Sequence, residues 1–142
     1  MPTLQFFEVL AADFGRGVHD FRASGDTLKA YLTNQEPDAA LHQVKDDLAE
    51  IPAGYGYPAG GVETQNDYVV AGHVGQCTGV GFSITAEGGS VGPFQYLVLY
   101  NASPLVPANP LIGWWTYPTP LTLRESAQLL VTFGYGMFSV VA

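Results

Sequence analysis

This 142-residue chain contains one cysteine and only five basic residues. With Cys77 alone there is no internal disulfide and no C-x-x-C for metal or redox chemistry. In a Val/Gly-rich run such a cysteine reads as a small buried hydrophobe. The basic residues are Arg16, Arg22, Lys29, Lys45 and Arg124, and they are scattered. No basic stripe follows a phosphate backbone, which argues against nucleic-acid binding. A net charge of −8 also disfavours anionic membranes. No apolar run approaches the ~20 residues of a membrane helix, and no Lys/Arg-led apolar run opens the chain as a signal peptide would. The expectation is a soluble protein made in a reducing cytoplasm.

Charge of either sign is scarce as well. Charged residues make up 13% of the chain and apolar ones 47%, against a usual charged share of about 25%. Much of the surface must then be neutral. A neutral surface is easier to desolvate and suits a protein that lives against other proteins, although a turn-rich β domain has the same composition. The length fits a single domain, 1–142, able to build a core without disulfides or metal.

What is present reads mostly as strand. The opening TLQFFEVLAADF, residues 3–14, predicts the one clear helix. Leu4, Phe7, Leu10, Ala11 and Phe14 recur at three- and four-residue spacing, Thr3 is a candidate cap, and Gly15 and Gly17 stop it. Asp26 to Asn34 alternates as a strand does. Residues 35–43 read as a polar loop and 44–50 as a short helical turn. GYGYPAGG, Gly54 to Gly61, marks an irregular segment with special backbone angles. Val62 to Gly72 is extended, residues 72–81 are punctuated by four glycines, and Phe82 to Thr85 is a short strand.

The second half carries the strongest β signal. Strands are expected over Phe94–Tyr100, Leu111–Tyr117, Ala127–Phe133 and Met137–Val141. Pro104, Pro107, Pro110, Pro118 and Pro120 are expected in the connections, because proline lacks the donor that a central strand needs. The predicted fold is therefore mainly β: an antiparallel β-sandwich, jelly-roll- or Ig-like, with one N-terminal α-helix.

Candidate chemistry is thin. His19-Asp20 pairs two members of a hydrolase triad, but neighbours on an extended chain point apart and no G-x-S-x-G follows. His19, His42 and His73 lack zinc-motif spacing. Asp46, Asp47 and Glu50 lack the calcium-loop pattern and read as a solvated turn. Gly79-Val80-Gly81 lacks the third glycine and the lysine of nucleotide loops. No catalytic residue, cofactor or metal is expected. Tyr55, Tyr57, Trp114, Trp115 and Tyr117 are the candidate partner contacts, as interface anchors or sugar-stacking rings. Trp114 and Trp115 are adjacent in a strand and face opposite ways, so at most one is expected in the core of a two-layer sandwich.

Four segments in order carry a resemblance. They are the aromatic opening FFEVLAADFGRGVHDF, then Asp26–Asn34, then Asp47–Ile51 with Gly54–Gly61, then Tyr96–Asn101 followed by Pro110–Trp115. The chain resembles a group of small tailed-phage structural proteins. The resemblance implies a β-sandwich-like domain without an active site. It also implies a virion structural role without placing the domain on the particle; the leading expectation is a capsid decoration (cement) protein on the outer head surface, a homotrimer on the major capsid protein lattice. A tail, collar or fibre component and a carbohydrate-binding module are the alternatives. The chain departs from the pattern at Gly72–Gly81, whose role the resemblance leaves open.

Overall fold

The structure is a computed structural model that describes residues 3–134 and 136–142. The strands are β1 (Gln5–Phe6), β2 (Leu28–Thr33), β3 (Val62–Glu63), β4 (Asp67–Ala71), β5 (Val74–Thr78), β6 (Phe82–Thr85), β7 (Val91–Asn101), β8 (Leu111–Leu123), β9 (Gln128–Val131) and β10 (Phe138–Val141). One helix, α1 (Val9–Gly15), follows β1, and a 3-10 turn spans Lys45–Asp47. The protein is mainly β and sandwich-like, with one short N-terminal helix, as its sequence pattern predicts. A five-stranded sheet runs β1-β8-β7-β2-β3, a three-stranded sheet β10-β5-β4, and a two-stranded sheet β6-β9. Every pairing is antiparallel.

The adjoining stretches Tyr96–Asn101 of β7 and Leu111–Trp115 of β8 are buried on both faces, which accounts for their nearly unbroken apolar runs. Leu97, Leu99, Ile112 and Trp115 face the main core, with Cys77, Ile84, Phe133 and Phe138. Tyr96, Val98, Tyr100, Leu111 and Trp114 face a second cluster with Phe7, Tyr31 and Leu48.

The predicted helix over 3–14 is corrected. Residues 5–6 form β1 on the edge of β8, and the helix begins only at Val9. Long-range pairing prevails over local periodicity here. Phe6 pairs opposite Gly113, and a side chain at Gly113 would collide with the Gln5 carbonyl. Phe7 N–H then donates to the Ile112 carbonyl (3.1 Å), and the Phe7 ring seats on Trp114 with centroids 4.6 Å apart.

Pro118 and Pro120 are also corrected: they lie within β8, not between strands. The β7–β8 register jumps between Tyr96↔Thr116 and Phe94↔Leu121, so these prolines sit in an exposed bulge outside the regular ladder. Gln95 Nε2 donates to the Tyr117 carbonyl there (3.1 Å).

The glycines of 72–81 also find their roles. Gly72, at φ +60°, makes the two-residue turn between β4 and β5, where a first central glycine suits a type II′ hairpin. Gly75 leaves room for the Tyr68 ring, Gly79 for Met137 and Phe133, and Gly81 for the Val131 carbonyl.

Candidate docking surface

Of the five aromatic residues singled out as partner contacts, Tyr55 alone is well exposed, at 58%. It turns the chain at φ +54° and lays its ring on Gly89. Tyr117 is half-buried, with its hydroxyl enclosed and without a hydrogen bond. Tyr57, Trp114 and Trp115 are buried inside the chain, which corrects their placement on a contact surface. The two tryptophans do face opposite ways, but Phe7 and Leu48, with Val9 and Ala39 beside them, cover the second face of the sheet, so both are core. A sugar groove built on these three rings has no open face.

Tyr57 belongs to a buried polar clamp. Its hydroxyl donates to Glu50 Oε2 (2.6 Å) and accepts the Leu32 N–H (3.0 Å). The same Glu50 oxygen accepts the Gly60 N–H (2.8 Å), and Oε1 accepts from Lys45 Nζ (2.9 Å). Lys45 Nζ lies over the Tyr31 ring at 4.9 Å. Tyr100 donates to the Gly60 carbonyl (2.6 Å). Burial first, then the Glu50 charge, pushes the Tyr100 phenol up to about 12 and drives those of Tyr31 and Tyr57 higher still. These phenols stay protonated and serve as donors. The clamp binds the Gly-Tyr-Pro segment to the sheet and offers no exposed reacting group.

The other polar candidates are likewise absorbed by the fold. Asp20 turns to Arg22 (2.7 Å) instead of His19, and that guanidinium holds its carboxyl at about 2. Asp47 accepts the N–H groups of Gln43 and Val44. His42 accepts the Asp38 N–H at Nδ1 (2.8 Å). Burial pushes the Cys77 thiol up to about 12, so it does not supply a thiolate at neutral pH. Among the described residues, no three His, Cys, Asp or Glu side chains gather to hold a metal ion. No helix among them is long and apolar enough to cross a membrane.

What remains open is a surface. Fifteen of the eighteen charged residues lie in residues 1–67, and the segments 68–86 and 126–142 carry none. These two segments, with Asp67 at the start of β4, build the β10-β5-β4 sheet. Its register sets Val140, Gly75 and Val70 in one row and Val141, Val74 and Ala71 in the next, on opposite faces. Val70 is 65% exposed and Val141 72%, and Val69, Val74 and Val140 are partly bare too. Both faces of this end are therefore apolar. Its outer strands β4 and β10 pair only inward, and β10 has no charge, proline or bulge of the kind that protects sheet edges. A second bare apolar point is Leu105–Val106, at 86% and 91% exposure, on the turn closed by Leu105↔Ala108.

The residues of this surface escaped the sequence reading, which looked to aromatic rings. The signal present was the run of valines in a segment free of charge. Comparison with family models, with curated proteins and with solved structures finds no match to this chain.

Proposed function

We propose that this chain is a non-catalytic structural subunit of a tailed-phage particle, a capsid decoration protein that docks on the outer surface of the assembled head. The observation that carries the reading is the partition of the surface. One sheet is valine-rich and edged by open strands, with Asp67 its one charged residue, while most acidic residues lie in the first half of the sequence. An exposed apolar patch rimmed by polar surface marks an interaction site. A neutral patch on a chain of net charge −8 is the part that another protein surface desolvates most easily. The four ordered segments that resemble small phage structural proteins support the particle.

The mechanism is thermodynamic. A protein that binds only the assembled lattice of major capsid protein stabilises that lattice by mass action. Arranged as a homotrimer that bridges neighbouring capsomers, it gains avidity from modest contacts. Its place is then the virion exterior, after synthesis in the host cytoplasm.

Quantitative mass spectrometry of purified particles tests this. Symmetry makes the copy number diagnostic. A count close to that of the major capsid protein is the expected result. A few copies per particle assign the chain to the tail, collar or fibre, and its absence from particles overturns the structural reading.

A further inference from the structure

A hydrogen-bonded knot ties the segment after α1 to the end of β7. Asn101, the last residue of β7, is fully buried. Its amide nitrogen reaches Asp26 Oδ2 (2.7 Å) and His19 Nδ1 (3.0 Å). Its carbonyl oxygen accepts the Ser103 N–H (3.1 Å), which fixes the two ends of the amide. One amide hydrogen thus goes to the carboxylate and the other to the imidazole. His19 Nδ1 is an acceptor, and the neutral ring carries its hydrogen on Nε2. Asp26 Oδ2 also accepts the Asp20 N–H (2.9 Å), and the Asp20 carbonyl accepts the Asp26 N–H (2.7 Å).

The knot adjoins the docking end. The His19 ring stacks on Phe21 with centroids 5.2 Å apart and planes at 17°. Phe21 meets Phe138 of β10 edge-on at 5.2 Å and Tyr68 of β4 at 6.2 Å. The Asp20–Arg22 segment lines a hollow of about 470 Å³ together with Phe14, His19, Tyr68 and Val140.

Two polar groups in this region find no hydrogen bond. His19 Nε2 is enclosed without one, and so are both carboxylate oxygens of Asp13 on α1. Burial of the imidazole opposes its charging, and the Asp13 and Asp26 carboxylates favour it. The other charged groups nearby are Arg16, Asp20 and Arg22, and the last two line the hollow. Arg16 is largely in solvent, with Nη1 3.8 Å from Asp13, and Asp20 and Arg22 pair with each other. Of the strands around the hollow, β10 brings no charge, and the Asp67 carboxylate of β4 accepts the Ala23 and Tyr68 N–H groups.

We propose that His19 is a proton-operated latch, which holds the 16–26 segment onto β7 when neutral and releases it when protonated. On protonation Nδ1 gains a hydrogen and loses its lone pair. It then confronts the Asn101 amide as donor against donor, and that bond breaks. The imidazolium is drawn to Asp13 and Asp26 instead. Because Phe21 stacks on the moving ring, release uncovers the inner side of β10 and β4. The latch is a property of the isolated chain and does not rest on the capsid reading.

The test is an NMR titration of the full chain from about pH 8 to about pH 4.5, the range in which histidine changes charge. The ring tautomer and amide exchange are read together. The expected result is the Nε2–H tautomer at the alkaline end and a protonation midpoint below 6.5. Protection at Gly25, Asp26 and Ala102 should be lost with that same midpoint, while Leu99 in β7 stays protected. In H19F the ring stack remains and the acid-triggered opening disappears. In D13N the midpoint falls, because a carboxylate that favours the imidazolium is gone. An Nδ1–H tautomer overturns the proposal, as does opening of H19F at the wild-type pH or an unmoved midpoint in D13N. Should H19F fail to fold, the wild-type tautomer and the shared midpoint decide.

Discussion

Single residues in this protein are constrained more by what their neighbours leave unsatisfied than by their own propensities. Glu50 shows this. It sits with Lys45 at 17% and 16% side-chain exposure and also receives Tyr57 and the Gly60 N–H. Neutralising it leaves an ammonium enclosed between two phenol rings. Glu50→Gln should cost about 3 kcal/mol in denaturant unfolding, the usual penalty for stranding one partner of a buried pair. Gly61, at φ +84°, lies against the Ala30 carbonyl of β2, so any side chain there meets backbone. Gly61→Ala should cost about 2 kcal/mol, read as a lowered denaturation midpoint. His19 sets the sign of one pH effect. Burial lowers its pKa below 6.5, so the unfolded chain binds the proton more readily. Its contribution to stability is present above about pH 6.5 and is lost as pH falls through the lower folded value. Thermal unfolding should therefore weaken from neutral toward mildly acid pH, and H19F should flatten that part of the profile.

At the scale of elements, burial of the second face of the main sheet decides most of what local patterning misses. Phe7 is 1% exposed and seals Trp114 from solvent. Phe7→Ala should cost about 3–5 kcal/mol, as other large buried rings do, and should expose Trp114 to solvent quenchers. The opposite case is β10. Val141 is 72% exposed, and its truncation or charging removes little of the core. Val141→Lys should leave stability within about 0.5 kcal/mol, as exposed substitutions generally do. If β10 docks on a partner, the same change should abolish head binding in a sedimentation assay, because a desolvated ammonium at an open edge is a strong deterrent to pairing. Unchanged binding would place the docking surface elsewhere.

For the whole molecule, the separation of charge is the dominant feature. The half from residue 68 onward holds three charged residues, Glu87, Arg124 and Glu125. Repulsion among the acidic residues of the first half keeps copies apart there, and the neutral end remains free to meet a surface. Association through this end should consequently depend only weakly on salt. A steep loss of particle binding as salt is raised would point instead to a contact through the acidic half.

Much of this was legible from residue order alone. The β character, the strands from Leu28 onward, the valine-rich hairpin segment and the charge partition all depend on local alternation and composition. Those are properties of neighbouring residues, and no contact is needed to read them. Tertiary structure decided the rest. A helical stripe at Leu4, Phe7 and Leu10 became strand then helix because the edge of β8 offered Phe6 and Phe7 distant partners. Trp115 and Trp114 both became core because Phe7 and Leu48, with Val9 and Ala39, covered the second face of the sheet, which adjacency cannot foretell. Pro118 and Pro120 entered a strand because a bulge freed them from the ladder. His19 gained Asn101, 82 positions away, and Asp13 lost every hydrogen-bonding partner. Side-chain burial and long-range hydrogen bonds are set by which elements meet, and that is a property of the assembled chain.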